Sequence, residues 1–132
     1  MDNSICILDI ETTGFEPGEA EIIELFILKI VNEEIIDEFY SLFKPTISIK
    51  NSHIHGITDE KVENSPSIED RSSDILSFIG KSVFLGHNID NFDLKFLNYF
   101  LKEELPTQSI DTLNISRSKL TNKVKNHKLM TL

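Results

Sequence analysis

The chain has 132 residues, 39% hydrophobic and 27% charged, with a formal net charge of −9. This is the length and composition of one soluble globular domain with a real core, and its acidity argues against a general nucleic-acid coat protein. No apolar run approaches the roughly 20 residues of a membrane span. Asp2 and Asp9 stand where a secretory signal would be basic, and a lone Cys6 can form neither an internal disulfide nor a cysteine zinc site. A reducing, cytoplasmic setting is expected.

The predicted elements follow in order. Ser4–Ile10 is short, β-branched and apolar, and reads as a buried strand containing Cys6. Gly14, Pro17 and Gly18 mark a turn. Ile22–Val31 reads as a long strand, Asn32–Glu34 as a turn and Ile35–Lys44 as a third strand, so the first three strands form an antiparallel meander. The stretch 46–57 reads as a loop. Thr58 can cap a short helix after it, although Lys61 breaks the capping-box pattern. Ser67 is a better N-cap, with Ile68, Ile75, Leu76 and Ile79 as the stripe of the helix and Gly80 as its stop. Ser82–His87 reads as a short strand. The segment 89–104 is the strongest amphipathic helix, with Phe92, Phe96, Tyr99 and Phe100 at helical spacing. A brief strand at 109–113 and a short helix at 113–120 complete the reading. The result is one α/β domain over 1–132, a mixed central sheet of an antiparallel three-strand meander plus parallel strands, flanked by helices.

Charge is unevenly placed. Lys29 is the only base between Met1 and Tyr40, and no acid follows Asp111, where Arg117, Lys119, Lys123, Lys125 and Lys128 crowd together. That basic segment is either a solvated surface loop or a phosphate contact beside an acidic site.

Three acids are candidates for chemistry. Asp9 and Glu11 lie two apart at the end of a strand, so their carboxylates share a face. Where water is partly withheld they repel and raise each other's pKa, and a hard divalent cation such as Mg²⁺ or Mn²⁺ relieves the conflict. Both acids could also simply be wet at a strand end. Asp93 shares a helix face with Ile89, Phe96 and Leu97, and so is expected to look inward. A first-turn position would also suit it, through the helix dipole. His87 and Asn88 follow a strand and can orient a ligand or simply satisfy a turn.

Taken together, LDIETTG (8–14), IHGIT (54–58), GHNIDNFDLKFL (86–97) and IDTL (110–113) resemble, in order and spacing, the DnaQ-like (DEDDh) 3′–5′ exonuclease family. The likeness is closest to the proofreading domain or epsilon-type subunit of bacterial DNA polymerase III. The resemblance implies a ribonuclease H-like fold and two-metal phosphodiester hydrolysis at single-stranded DNA 3′ ends, with Mg²⁺ or Mn²⁺. It implies metal and catalytic roles for Asp9, Glu11 and Asp93, and substrate contacts from Ile10, Thr12, Thr13, Gly14, His55, Asn88 and Phe92. It also implies a replication or repair setting beside a DNA polymerase or helicase. The family's third motif pairs a general-base histidine with an aspartate five residues on, but His127 is followed at that distance by Leu132. The segment HKLMTL (127–132) instead resembles what precedes that motif. A truncated domain with very low or no activity on its own is therefore expected. Two alternatives remain: a non-catalytic nucleic-acid-binding or interaction remnant, and an RNA-directed exonuclease.

Overall fold

A computed structural model of the chain describes residues 4–86, 92–102 and 109–111. Its framework is a five-stranded mixed sheet in the order β3-β2-β1-β4-β5. The strands are β1 (Ser4–Thr12), β2 (Ile22–Val31), β3 (Glu34–Leu42), β4 (Val83–Gly86) and β5 (Ser109–Asp111). The first three pair antiparallel as the expected meander. β4 runs parallel to β1, and β5 parallel to β4. The C-terminal ends of β1 and β4 therefore point to the same end of the sheet.

Alternation along β1 sets its two faces. Ser4, Cys6, Leu8, Ile10 and Thr12 are buried, while Ile5, Ile7, Asp9 and Glu11 turn to the other side. The buried face carries the main core, where Leu8, Ile10, Leu25 and Ile27 meet Ile75, Ile79, Phe96 and Leu97. Each such side chain contributes about 1.5–3 kcal/mol through burial. The helices supplying the last four are α3 (Ile68–Ile79) and α4 (Asp93–Leu101). Ser67 caps α3 as expected, its hydroxyl accepting from Asp70 N–H at 3.1 Å, and Gly80 ends it at φ 54°.

A second, smaller cluster holds the loop side of the sheet. It joins Ile23, Ile49, Ile57 and Val62, with Leu42 against them. The β1–β2 register shifts between Glu11 and Thr12, and this irregularity lets Ile23 leave the main core for the small cluster. Through these contacts the segment after β3 is fastened beside the end of β1.

That segment departs from the sequence expectation. Residues 52–55, read as loop, form a single helical turn, α1 (Ser52–His55), closed by Gly56 at φ 74°. Its four residues bury nothing and show no apolar periodicity, so periodicity had no signal to offer; Gly56 in the left-handed region was the only local mark. α2 (Asp59–Val62) follows, with Thr58 accepting from Lys61 N–H as expected. In α4 two aromatic positions differ from the predicted stripe. Phe92 precedes the helix, and Tyr99 is 53% exposed. Tyr99 falls outside the arc that Phe96, Leu97 and Leu101 bury. The expected helix at 113–120, the basic segment and His127 lie outside the described residues.

Candidate active site

Asp9 and Glu11 emerge on one sheet face, as their spacing requires, and face Phe26 and Glu24 across the antiparallel ladder. Glu24 is the residue that sequence reasoning missed. Its carboxylate accepts a hydrogen bond from the Tyr40 hydroxyl at 2.7 Å, and Tyr40 extends from β3 opposite Phe26. Cross-strand neighbours on one face approach to about 5 Å at Cβ, so three carboxyl groups share this sheet end. Only the β1–β2 register brings Glu24 there, thirteen residues after Glu11 in the chain.

The electrostatics follow from that crowding. The Asp9 side chain reaches solvent, but partial burial of its carboxyl still raises its pKa, and Glu24 raises it further against a bond from the Ile10 backbone that lowers it. Glu11 is raised by burial first, then by Asp9 and Glu24. Tyr40 is pushed up to about 12, chiefly because its proton is held by Glu24. The Asp9–Glu11 pair is thus an oxygen-only donor set under mutual repulsion, which fits a hard divalent cation. Among the described residues no three His, Cys, Asp or Glu side chains are grouped closely enough to hold an ion by themselves.

Asp93 opens α4 and is buried, with Phe96 and Leu97 beside it in the core, so it looks inward as expected. No side-chain bond from Phe92 caps the helix. The Phe92 ring packs on Phe96 with centroids 5.0 Å apart and is partly buried against the core. Asn88 lies outside the described residues.

The turn after β1 is rigid. Thr12 donates its hydroxyl proton to the Gly14 carbonyl at 2.5 Å. Thr13 is held twice by Glu21: its N–H donates to the Glu21 carbonyl at 2.9 Å, and its hydroxyl accepts from Glu21 N–H at 3.0 Å. A Cβ on Gly14 would stand 3.1 Å from the Ala20 Cβ, a tight contact in which Ala20 would have to shift by a few tenths of an ångström. A cleft of about 600 Å³ lies against this turn, with Phe15, Ile47 and Lys50 among its walls. Ile10 points to the core.

His55 stands on α1, half-buried, and both ring nitrogens have partners. Nδ1 accepts from Ile57 N–H at 3.0 Å, and Nε2 meets Asn51 Oδ1 at 2.9 Å. The Asn51 amide in turn donates to the Thr12 carbonyl at 3.0 Å. The structure thus joins His55 to the end of β1 through Asn51, a residue with no motif to announce it.

Comparison with known proteins agrees with this architecture. The profile of the RNase_T family, described as exonuclease, matches residues 6–132. The DNA polymerase III PolC-type of Thermotoga maritima is 41% identical over 90% of this chain and 9% of its own length. That of Bacillus subtilis is 34% identical over 99% of the chain and 10% of its own. The chain thus spans about a tenth of the length of these curated relatives. Among solved structures, exonuclease X in complex with 5′-overhanging duplex DNA is 27% identical, with a TM-score of 0.75 over 97% of this chain and 70% of its own. An exonuclease I structure superposes with a TM-score of 0.85 at 17% identity, covering 98% of this chain and 34% of its own.

Proposed function

Since the chain belongs to the DnaQ-like exonuclease family, with its ribonuclease H-like fold, we propose that it removes nucleotides from single-stranded DNA 3′ ends by metal-assisted hydrolysis. The observation that carries this reading is the Asp9–Glu11 pair, set side by side at a strand end and held above the ordinary carboxylate range. Asp9 and Glu11 present oxygens to the cations, and Asp93 adds a third carboxylate from α4. These carboxylates would hold divalent ions, which when bound would supply charge to activate a water and stabilise the leaving 3′ oxygen. The Thr12–Gly14 turn, braced through Glu21, borders the terminal nucleotide. His55, Phe92, Asn88 and the backbone at Ile10 border its sugar and base. Mg²⁺ or Mn²⁺ suits these oxygens. The partner is then a DNA polymerase and the setting proofreading, a reading supported by the similarity to PolC-type polymerases.

The test is a 5′-labelled single-stranded oligonucleotide incubated with the chain and Mn²⁺. The expected result is slow shortening from the 3′ end, one nucleotide at a time, lost on Asp9→Ala. Cleavage that survives Asp9→Ala or needs no divalent ion contradicts the reading. The same assay weighs a second reading. If wild type and Asp9→Ala behave alike while both bind the oligonucleotide, the domain is a non-catalytic nucleic-acid-binding module. A matched RNA substrate separates the RNA-directed alternative.

A further inference from the structure

We propose that Asn51 is a positioning residue, tying the nucleotide-facing loop at His55 to the end of the metal-binding strand so that the terminal nucleotide meets both as one wall. The proposal rests on the exonuclease reading above. An asparagine at a helix N-cap position ordinarily bonds the first free N–H groups of its own helix. Asn51 occupies that position before α1 and makes no such bond. Its amide instead reaches a backbone carbonyl 39 residues away in sequence, that of Thr12. Thr12 adjoins Glu11 at the point where the β1–β2 register shifts. A ladder interrupted there needs a donor from elsewhere, and the Asn51 Nδ2 supplies one.

The other half of the carboxamide selects the state of His55. Nδ1 accepts from Ile57 N–H, so in the neutral ring Nε2 carries the proton and donates it to Asn51 Oδ1. A flipped Asn51 amide would face donor with donor at His55 and acceptor with acceptor at Thr12. The two contacts therefore enforce each other, and the ring, the carboxamide and the strand end form a single hydrogen-bonded chain. The loop is stiffened besides by Ser52 Oγ donating to the Ile57 carbonyl at 2.6 Å and Lys61 Nζ donating to the Gly56 carbonyl at 2.8 Å. Asn51 is what connects this stiff loop to β1.

Two measurements on the intact chain test the proposal. The first is the ¹⁵N resonance of the His55 ring, assigned through His55→Ala, which reports its tautomer. The second is the affinity for an oligothymidylate with a free 3′ hydroxyl, read by fluorescence anisotropy with Ca²⁺ in place of a catalytic ion. Asn51→Ala is expected to release His55 from the single Nε2–H tautomer and to weaken binding about tenfold. Combined with His55→Ala, it is expected to weaken binding no further than His55→Ala alone, within about twofold. A purely structural role would lower the melting temperature without this non-additivity, so all variants are compared below their melting midpoints. Asn51→Ser takes the place of Asn51→Ala should the latter not fold. Unchanged affinity, an unchanged tautomer or a fully additive double variant overturns the proposal. If the wild-type chain binds no oligonucleotide at all, the exonuclease reading fails and takes the proposal with it; binding that ignores Asn51 sinks the proposal alone.

Discussion

At the end of β1, Asp9 and Glu11 are crowded by partial burial and by Glu24 of β2 beside them. Asp9 and Glu11 both titrate above the ordinary range when folded. Between the unfolded and folded values the native state binds more protons than the unfolded chain, so stability falls as pH rises through that window. The contribution is fully present below about pH 4, the unfolded range, and is lost above the raised values. Neutralising either acid should therefore stabilise the metal-free chain at pH 7. Asp9→Asn or Glu11→Gln is expected to raise the melting temperature by about 1–3 °C, the scale of a solvent-screened repulsion, and the gain should shrink at pH 4. A fall in melting temperature at pH 7 would contradict this. Tyr40 gives an independent readout of the third acid. With Tyr99→Phe as background, its phenolate absorbance should appear near pH 12, and Glu24→Gln should lower that midpoint toward the ordinary tyrosine value near 10. The pair Asp9 and Glu11 was legible because side chains two apart on a strand must share a face. Glu24 and Asn51 were not, since one depends on cross-strand register and the other on a loop folding back over 39 residues.

At the scale of elements, two turns set the geometry of the first three strands, and each makes a prediction. The β2–β3 hairpin turns on two residues, Asn32 at φ 52° and Glu33 at φ 68°. Such two-residue turns favour Asn-Gly, and a side chain at the second position costs about 1 kcal/mol. Glu33→Gly should accordingly raise unfolding free energy by about 0.5–1 kcal/mol in urea titration, and a loss would show that the Glu33 side chain has another role. In the β1–β2 turn the constraint is contact. Gly14→Ala forces its Cβ against Ala20, which is buried, and should cost about 1–3 kcal/mol. Adding Ala20→Gly should recover most of that, and failure to recover would mean the cost lies in backbone conformation. Long elements were legible from pattern: β2, α3 and the inward face of α4 stand where periodicity and capping put them. The single turn α1 was not, because four residues without a buried side chain carry no period. Tyr99 fell outside the buried arc because a run of closely spaced aromatics fills more of the helix circumference than the core can cover.

For the whole molecule, the order β3-β2-β1-β4-β5 explains how Glu24 comes to lie beside Asp9 and Glu11. The antiparallel pairing of β1 with β2 sets Glu24 opposite Glu11, and β4 runs parallel to β1 on its other side. The meander and the parallel partners were readable from short and long connections, and the family from four spaced motifs. The braces were not, because they are made by tertiary hydrogen bonds. The most direct test of the account is a calorimetric titration of Mn²⁺ into the chain at pH 7. Saturable binding that disappears in Asp9→Asn and in Glu11→Gln, and that raises the melting temperature of the wild type alone, is the predicted result. Binding of equal strength in all three proteins, or none in the wild type, would contradict a cation site at the end of β1.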